Sequence, residues 1–167
     1  MAELFLEDFF VGQVFGSTRP LRVEKDEIIA FAKKFDPQFF HLDEEAARSS
    51  IFGGLVASGW HTAALTMRLL TERESKPAGG SIGLGFDELR WLIPVRPDDE
   101  LRIESEILAV RPSKSRPDRG VVKMRTRTFN QHGHVVQEIV NIALVPRRPP
   151  ENAEAEAARS TPQRRAV

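Results

Sequence analysis

Asp36 and His41 stand five residues apart in the run F-D-P-Q-F-F-H-L-D, residues 35–43. A carboxylate and an imidazole held against one water molecule form an acid–base pair. Histidine titrates near neutrality, at about 6.5 when unperturbed, so it can take a proton and return it. The carboxylate can orient the water or share its proton. Plain turn chemistry fits the same residues: an Asp before a Pro is a common turn element, and a His ahead of a helix is commonly a satisfied structural residue. Spacing alone leaves both readings open.

A second feature bears on the first. The stretch IFGGLVASGW, residues 51–60, sets glycines and small residues just ahead of a long apolar segment. The first N–H groups of a helix lack intrahelical partners, and the helix dipole is positive there. An anionic or polarised oxygen, such as a thioester carbonyl becoming an enolate, is stabilised at that point. Gly59 N–H is the donor this spacing selects, and one such donor is worth about 3 kcal/mol in a transition state. Gly53 and Gly54 are read as turn and packing glycines.

The elements that must position these groups follow from periodicity. In EKDEIIAFAKKF, residues 24–35, Ile28, Phe31, Ala32 and Phe35 repeat at helical spacing. Acids lead this helix and lysines close it, and Pro37 predicts its end at Asp36. Asp36 and His41 then lie in a loop. A short helix is expected from Asp43 as N-cap through EEAARS. GWHTAALTMRLLTER, residues 59–73, is apolar or small on nearly every side, which predicts a buried central helix opened by Ser58 or Gly59. The second half reads as strands: SIGLGFDELRWLIPV, LRIESEILAV, GVVKMRTRTFNQ and VVQEIVNIALV, with VFGSTRPLRV supplying the first. In GVVKMRTRTFNQ, Val122, Met124, Thr126 and Thr128 face one way and the basic residues the other. Asn130 to Gly133 make a hairpin turn. One long buried helix with a run of antiparallel strands predicts an α+β chain of hot-dog type, the sheet wrapped around the helix. Its exposed edges predict pairing, as a homodimer or a dimer of dimers. Residues 1–147 read as one domain. Residues 148–167 carry almost no large apolar side chain and read as a disordered tail.

Composition narrows the classes. The 167 residues contain no cysteine, which excludes disulfides, thiolate metal sites and a cysteine nucleophile. Twenty-four basic residues balance 24 acidic ones, so no whole-molecule field draws nucleic acid. The acid-bearing start, MAELFLEDFFVGQ, does not read as a signal peptide, and no run approaches the roughly 18 apolar residues of a membrane span. A soluble, cytoplasmic protein is expected, with neither nucleic acid nor membrane as partner.

D-x-Q-x-x-H-x-D-x-x-x-A from Asp36, followed by G-G-x-x-A-S-G-W-H from Gly53, resembles the MaoC-like dehydratase family, which includes (R)-specific enoyl-CoA hydratases. RWLIPVRPDDELR, residues 90–102, is similar to that family's strand, proline and acidic turn. The resemblance spans roughly residues 8–146. It implies that Asp36 and His41 activate a water, that Gly59 N–H binds the thioester carbonyl, and that no metal or organic cofactor is needed. The substrate implied is an acyl-coenzyme A thioester, hydrated or dehydrated at its 2,3-bond. The chain departs from the family pattern at Gln38, where Asn is usual, and at Phe39, where Pro is usual; Pro37 sits nearer the Asp. Gln38, Ser58 and Thr66 are candidate pocket residues, Thr66 standing near the family's helical serine. His61 is expected to be a core histidine bonded to a carbonyl. His132 and His134 are assigned to an exposed turn, Trp60 and Trp91 to packing, and the basic stretch 111–120 to a solvated loop. Two other activities fit the fold: an acyl-CoA thioesterase, disfavoured because residues 54–71 contain no acid, and a non-catalytic acyl-thioester binder.

Overall fold

The computed structural model describes residues 2–73, 75–80 and 82–150. Five strands make the main antiparallel ladder, β2 (Val14–Gly16), β5 (Ile82–Trp91), β6 (Glu100–Pro112), β7 (Arg119–Phe129) and β8 (Val135–Pro146), in the order β2-β6-β7-β8-β5; β3 (Leu21–Arg22) also pairs with β6. A parallel pair, β1 (Ala2–Leu4) with β4 (Ser75–Pro77), stands apart from this sheet. The helices are α1 (Lys25–Phe35), α2 (Phe39–Leu42), α3 (Glu44–Ala47) and α4 (Gly59–Thr71), with a 3-10 turn at Leu6–Asp8. The hot-dog class read from the sequence is the class found.

The expected strands form for the expected reason. On β7, Val122, Met124, Thr126 and Thr128 are buried and alternate with half-buried Lys123, Arg125 and Arg127. The segment read as one first strand is two short ones, β2 and β3, interrupted at Ser17–Pro20 and both laid against β6. Gly133 closes the β7–β8 turn at φ 77°, its N–H donating to Asn130 O.

Leu65 and Leu69 of α4 pack with Val23, Ile28, Leu55, Val95, Leu101, Ile103 and Val136, joining helix, α1 and sheet in one core. Burial of a large aliphatic side chain is worth about 1.5–3 kcal/mol, so this contact sets where α4 runs. A second cluster at the other end joins Leu6 and Phe9 to Ile107, Val122, Met124 and Val145.

Three expectations need correction. α4 is not buried on every side: Trp60 is 59 % and Met67 49 % exposed. Composition reports how apolar a helix is, whereas one sheet covers only one side of it. Phe35, placed on the apolar face of α1, is also exposed; only Ile28 and Ala32 of that face are fully buried, with Phe31 half-buried. The segment between Asp36 and Asp43 is not an open loop but holds the single turn α2, with His41 in it. Of the tail expected over 148–167, residues 148–150 are described, with Arg148 paired to Asp8 at 2.8 Å; residues 151–167 lie outside the described residues.

Candidate active site

α1 ends as Pro37 requires, with Asp36 as its last hydrogen-bonded residue, N–H to Ala32 O. Gln38 N–H then donates to Asp36 O, a tight turn that starts α2. Asp43 closes α2 and caps α3, its carboxylate accepting from the N–H groups of Glu45 and Ala46. The segment before α4 is pinned on two sides: Val56 N–H donates to Phe40 O and Ala57 N–H to Val95 O. Ser58 caps α4, its Oγ accepting from Trp60 N–H at 3.2 Å.

These connections bring Asp36, His41, Ser58, Gly59 and Gln38 around one cavity of about 550 Å³, walled by Phe40, Phe52, Trp60, Trp91 and Leu92 through Val95. Asp36 Oδ2 lies 3.4 Å from His41 Nε2. That is long for a direct hydrogen bond and suits a water shared by the two. Ser58 Oγ donates to Asp36 Oδ2 at 2.7 Å, and Gln38 Nε2 donates to Oδ1 at 2.8 Å. Ser58, followed by Gln38 and a nearby imidazolium, holds the Asp36 carboxyl below its ordinary range although burial opposes this. Asp36 is therefore the carboxylate at neutral pH. His41 Nδ1 is 2.7 Å from Val56 O, and a carbonyl can only accept. Nδ1 thus carries the proton, and in the neutral ring Nε2 turns its lone pair toward Asp36 and the cavity. The ring is buried and gripped edge-on by Phe40, which fixes its plane.

Gly59 opens α4, and its N–H makes no hydrogen bond with another described residue. A further constraint acts on this position. An added Cβ would stand 2.6 Å from the Trp91 ring. Trp91 Nε1 donates to Gln137, which donates to Thr66, whose hydroxyl meets Thr128. Thr66 is thus committed to a buried polar chain beneath the cavity and does not line it; Thr62, one turn earlier, does. Trp60 and Trp91, assigned to packing, form the mouth edge to face with centroids 5.3 Å apart. Trp91 was missed as a site residue because an aromatic at a strand end reads the same whether it packs or lines. The Val56 carbonyl that sets the His41 tautomer is backbone and has no sequence signature.

His61 is buried and stacked on Phe31 at 4.8 Å, but the expected bond to a carbonyl is not made: its Nδ1 has no partner among the described residues. His132 and His134 lie on the exposed β7–β8 turn. No residue of 111–120 lines the cavity, and most of that loop is exposed.

Comparison with known proteins gives the family. The model of the MaoC-like domain matches residues 8–128, and the chain belongs to that family. A MaoC-like dehydratase from Rhodospirillum rubrum is 58 % identical, with a TM-score of 0.83, over 88 % of this chain and 99 % of that one. The (R)-hydratase PhaJ1 of Pseudomonas aeruginosa is 28 % identical, with a TM-score of 0.70, over 87 % of this chain and 88 % of that one. The mesaconyl-CoA hydratase of Cereibacter sphaeroides is 42 % identical over 65 residues, 39 % of this chain and 19 % of the relative. Family and neighbours support hydratase or dehydratase activity in general terms.

Proposed function

We propose that this chain adds water to the 2,3-bond of an enoyl-CoA, or removes it from a 3-hydroxyacyl-CoA, with (R) stereochemistry. The observation that carries the reading is Asp36 Oδ2 facing His41 Nε2 at 3.4 Å beside the start of α4. In hydration the thioester carbonyl accepts from Gly59 N–H. Asp36 and His41 hold the water. As its oxygen bonds to C3, His41 Nε2 takes a proton and the electron pair of the 2,3-bond moves toward the thioester oxygen. The enolate is stabilised at the positive end of α4. The imidazolium then returns the proton to C2, so the hydroxyl and the proton arrive on one face. Dehydration runs the same steps in reverse. The substrate is carried on coenzyme A in the cytoplasm, and the working unit is a homodimer joined at the open edge of β5.

His41→Ala should lower turnover of crotonyl-CoA about 10²–10⁴-fold, the usual worth of a positioned acid–base group, with the circular dichroism spectrum unchanged. The loss of enoyl absorbance reports it. Undiminished activity in that variant refutes the assignment, and release of free thiol at the rate of substrate loss would make the chain a thioesterase instead.

A further inference from the structure

Trp91, Gln137, Thr66 and Thr128 form one hydrogen-bonded chain through the core. Trp91 Nε1 donates to Gln137 Oε1 at 2.9 Å, Gln137 Nε2 donates to Thr66 Oγ1 at 2.9 Å, and Thr66 Oγ1 lies 2.7 Å from Thr128 Oγ1. The four residues come from four elements. Gln137 of β8 stands across from Trp91 of β5 on one side and from Thr128 of β7 on the other, and Thr66 comes from the middle of α4. Gln137 and Thr128 are fully buried and Thr66 nearly so. An indole N–H can only donate, so the Gln137 amide has one orientation, oxygen to Trp91 and nitrogen to Thr66. Trp91 alone of the four lines the cavity that holds Asp36 and His41.

Polar groups cost more to bury than apolar side chains of the same shape. What they add is direction: apolar contact is non-directional, whereas a fully satisfied polar network fixes one arrangement. The part fixed here is the indole. Its ring-fusion atoms lie against Gly59, where an added Cβ would stand 2.6 Å from Cε2 and 2.7 Å from Cδ2. Trp60 packs on it edge to face. The indole is therefore both a wall of the cavity and the stop against which the first residue of α4 rests. A carbonyl donor works only at close range, about 2.7–3.1 Å, and a misplacement of about 1 Å costs on the order of 10²-fold. We propose that Gln137 is a positioning residue: anchored on Thr66, it holds the Trp91 indole against Gly59 so that a bound thioester carbonyl meets Gly59 N–H at hydrogen-bond distance. The proposal rests on the hydratase reading in taking Gly59 N–H as the carbonyl donor; it involves neither Asp36 nor His41.

Isotope-edited infrared spectroscopy of the full chain with butyryl-CoA tests it, because a saturated thioester has no double bond to hydrate. On the wild type the thioester carbonyl band should lie below its position in water, and Gln137→Met, similar in length but apolar, should return it most of the way. With crotonyl-CoA, Gln137→Met should lower kcat about 10- to 100-fold with KM nearly unchanged, since the weakened bond matters most in the transition state. Trp91→Phe keeps a ring beside Gly59 without the N–H; it should act in the same direction, and it carries the test if Gln137→Met does not fold. The double variant should be no worse than the worse single one, because the two residues act as a unit. A packing role alone would lower the unfolding midpoint and leave the band and kcat in place, which overturns the proposal. So do a carbonyl unshifted on the wild type and kcat losses that multiply in the double variant. A wild type that shifts the carbonyl but does not consume crotonyl-CoA removes the hydratase reading, and the band in Gln137→Met then decides the positioning role.

Discussion

At the scale of single residues, the site turns on how one carboxylate is held. Asp36 accepts from Ser58 and from Gln38, one donor per oxygen, and the remaining lone pairs face His41 and the cavity. Gln38 stands where the family pattern has Asn, yet its amide still reaches Asp36, so the longer side chain keeps the bond. Ser58 has two roles, because its Oγ also accepts from Trp60 N–H at the start of α4. Ser58→Gly separates them: glycine at an N-cap costs only a few tenths of a kcal/mol, whereas the donation to Asp36 is lost. That donation favours the charged form, so its removal raises the Asp36 pKa. The acid limb of the kcat/KM profile for crotonyl-CoA should therefore move to higher pH in Ser58→Gly with stability nearly unchanged; a limb that stays in place shows that Asp36 does not set it.

At the scale of elements, α4 carries both a site and a core. Gly59 meets Trp91 at its first turn, and Leu65 and Leu69 are buried further along. Gly59→Ala would press a methyl into the indole and pull Trp91 from Gln137. The overpacking cost is about 1–3 kcal/mol, against a gain of up to about 1 kcal/mol in helix propensity. Denaturant unfolding should show Gly59→Ala destabilised, and Trp91→Ala should relieve most of that loss. Additive effects in the double variant would mean that the ring and the glycine are not coupled. The helix boundaries here were legible, because Ser58, Pro37 and Asp43 act on their immediate neighbours. α2 was not, because a single turn holds too few residues to show a period.

At the scale of the whole molecule, two features follow from how far-separated segments meet. β5 is an edge strand of 10 residues that exposes Ile82, Leu84 and Phe86. An open apolar edge is a template for another strand, and the proposed homodimer would cover it. Ile82→Lys with Leu84→Lys should shift sedimentation equilibrium from dimer to monomer; a wild-type chain that sediments as a monomer removes the dimer. At the other end, Glu7 accepts from the Arg147 side chain at 2.8 Å and the Arg148 N–H at 3.0 Å, tying the N-terminal segment to the end of β8. These bonds, that from Arg147 foremost, pull the Glu7 carboxyl from 4.5 to about 2. A folded pKa below the unfolded one means stabilisation that is complete above about pH 4.5 and fades as pH falls through 2. Glu7→Gln should thus be less stable than the wild type at pH 7, with the gap closing toward pH 2 in urea unfolding. A gap independent of pH refutes the linkage.

The sequence by itself determined the fold class, the ends of α1 and α4 and the strands β5 to β8, because capping, proline geometry and alternation are set by near neighbours along the chain. It also marked Gly59, since a helix start can be read locally. Only the tertiary structure decided the rest. Ser58 became a donor to Asp36, the Val56 carbonyl fixed the His41 tautomer, Thr66 was drawn into a polar chain with Thr128 and Gln137, and Trp91 came down on Gly59. Each joins groups 15 to 71 residues apart, and a contact over such a distance depends on how sheet and helix pack, which no local pattern records.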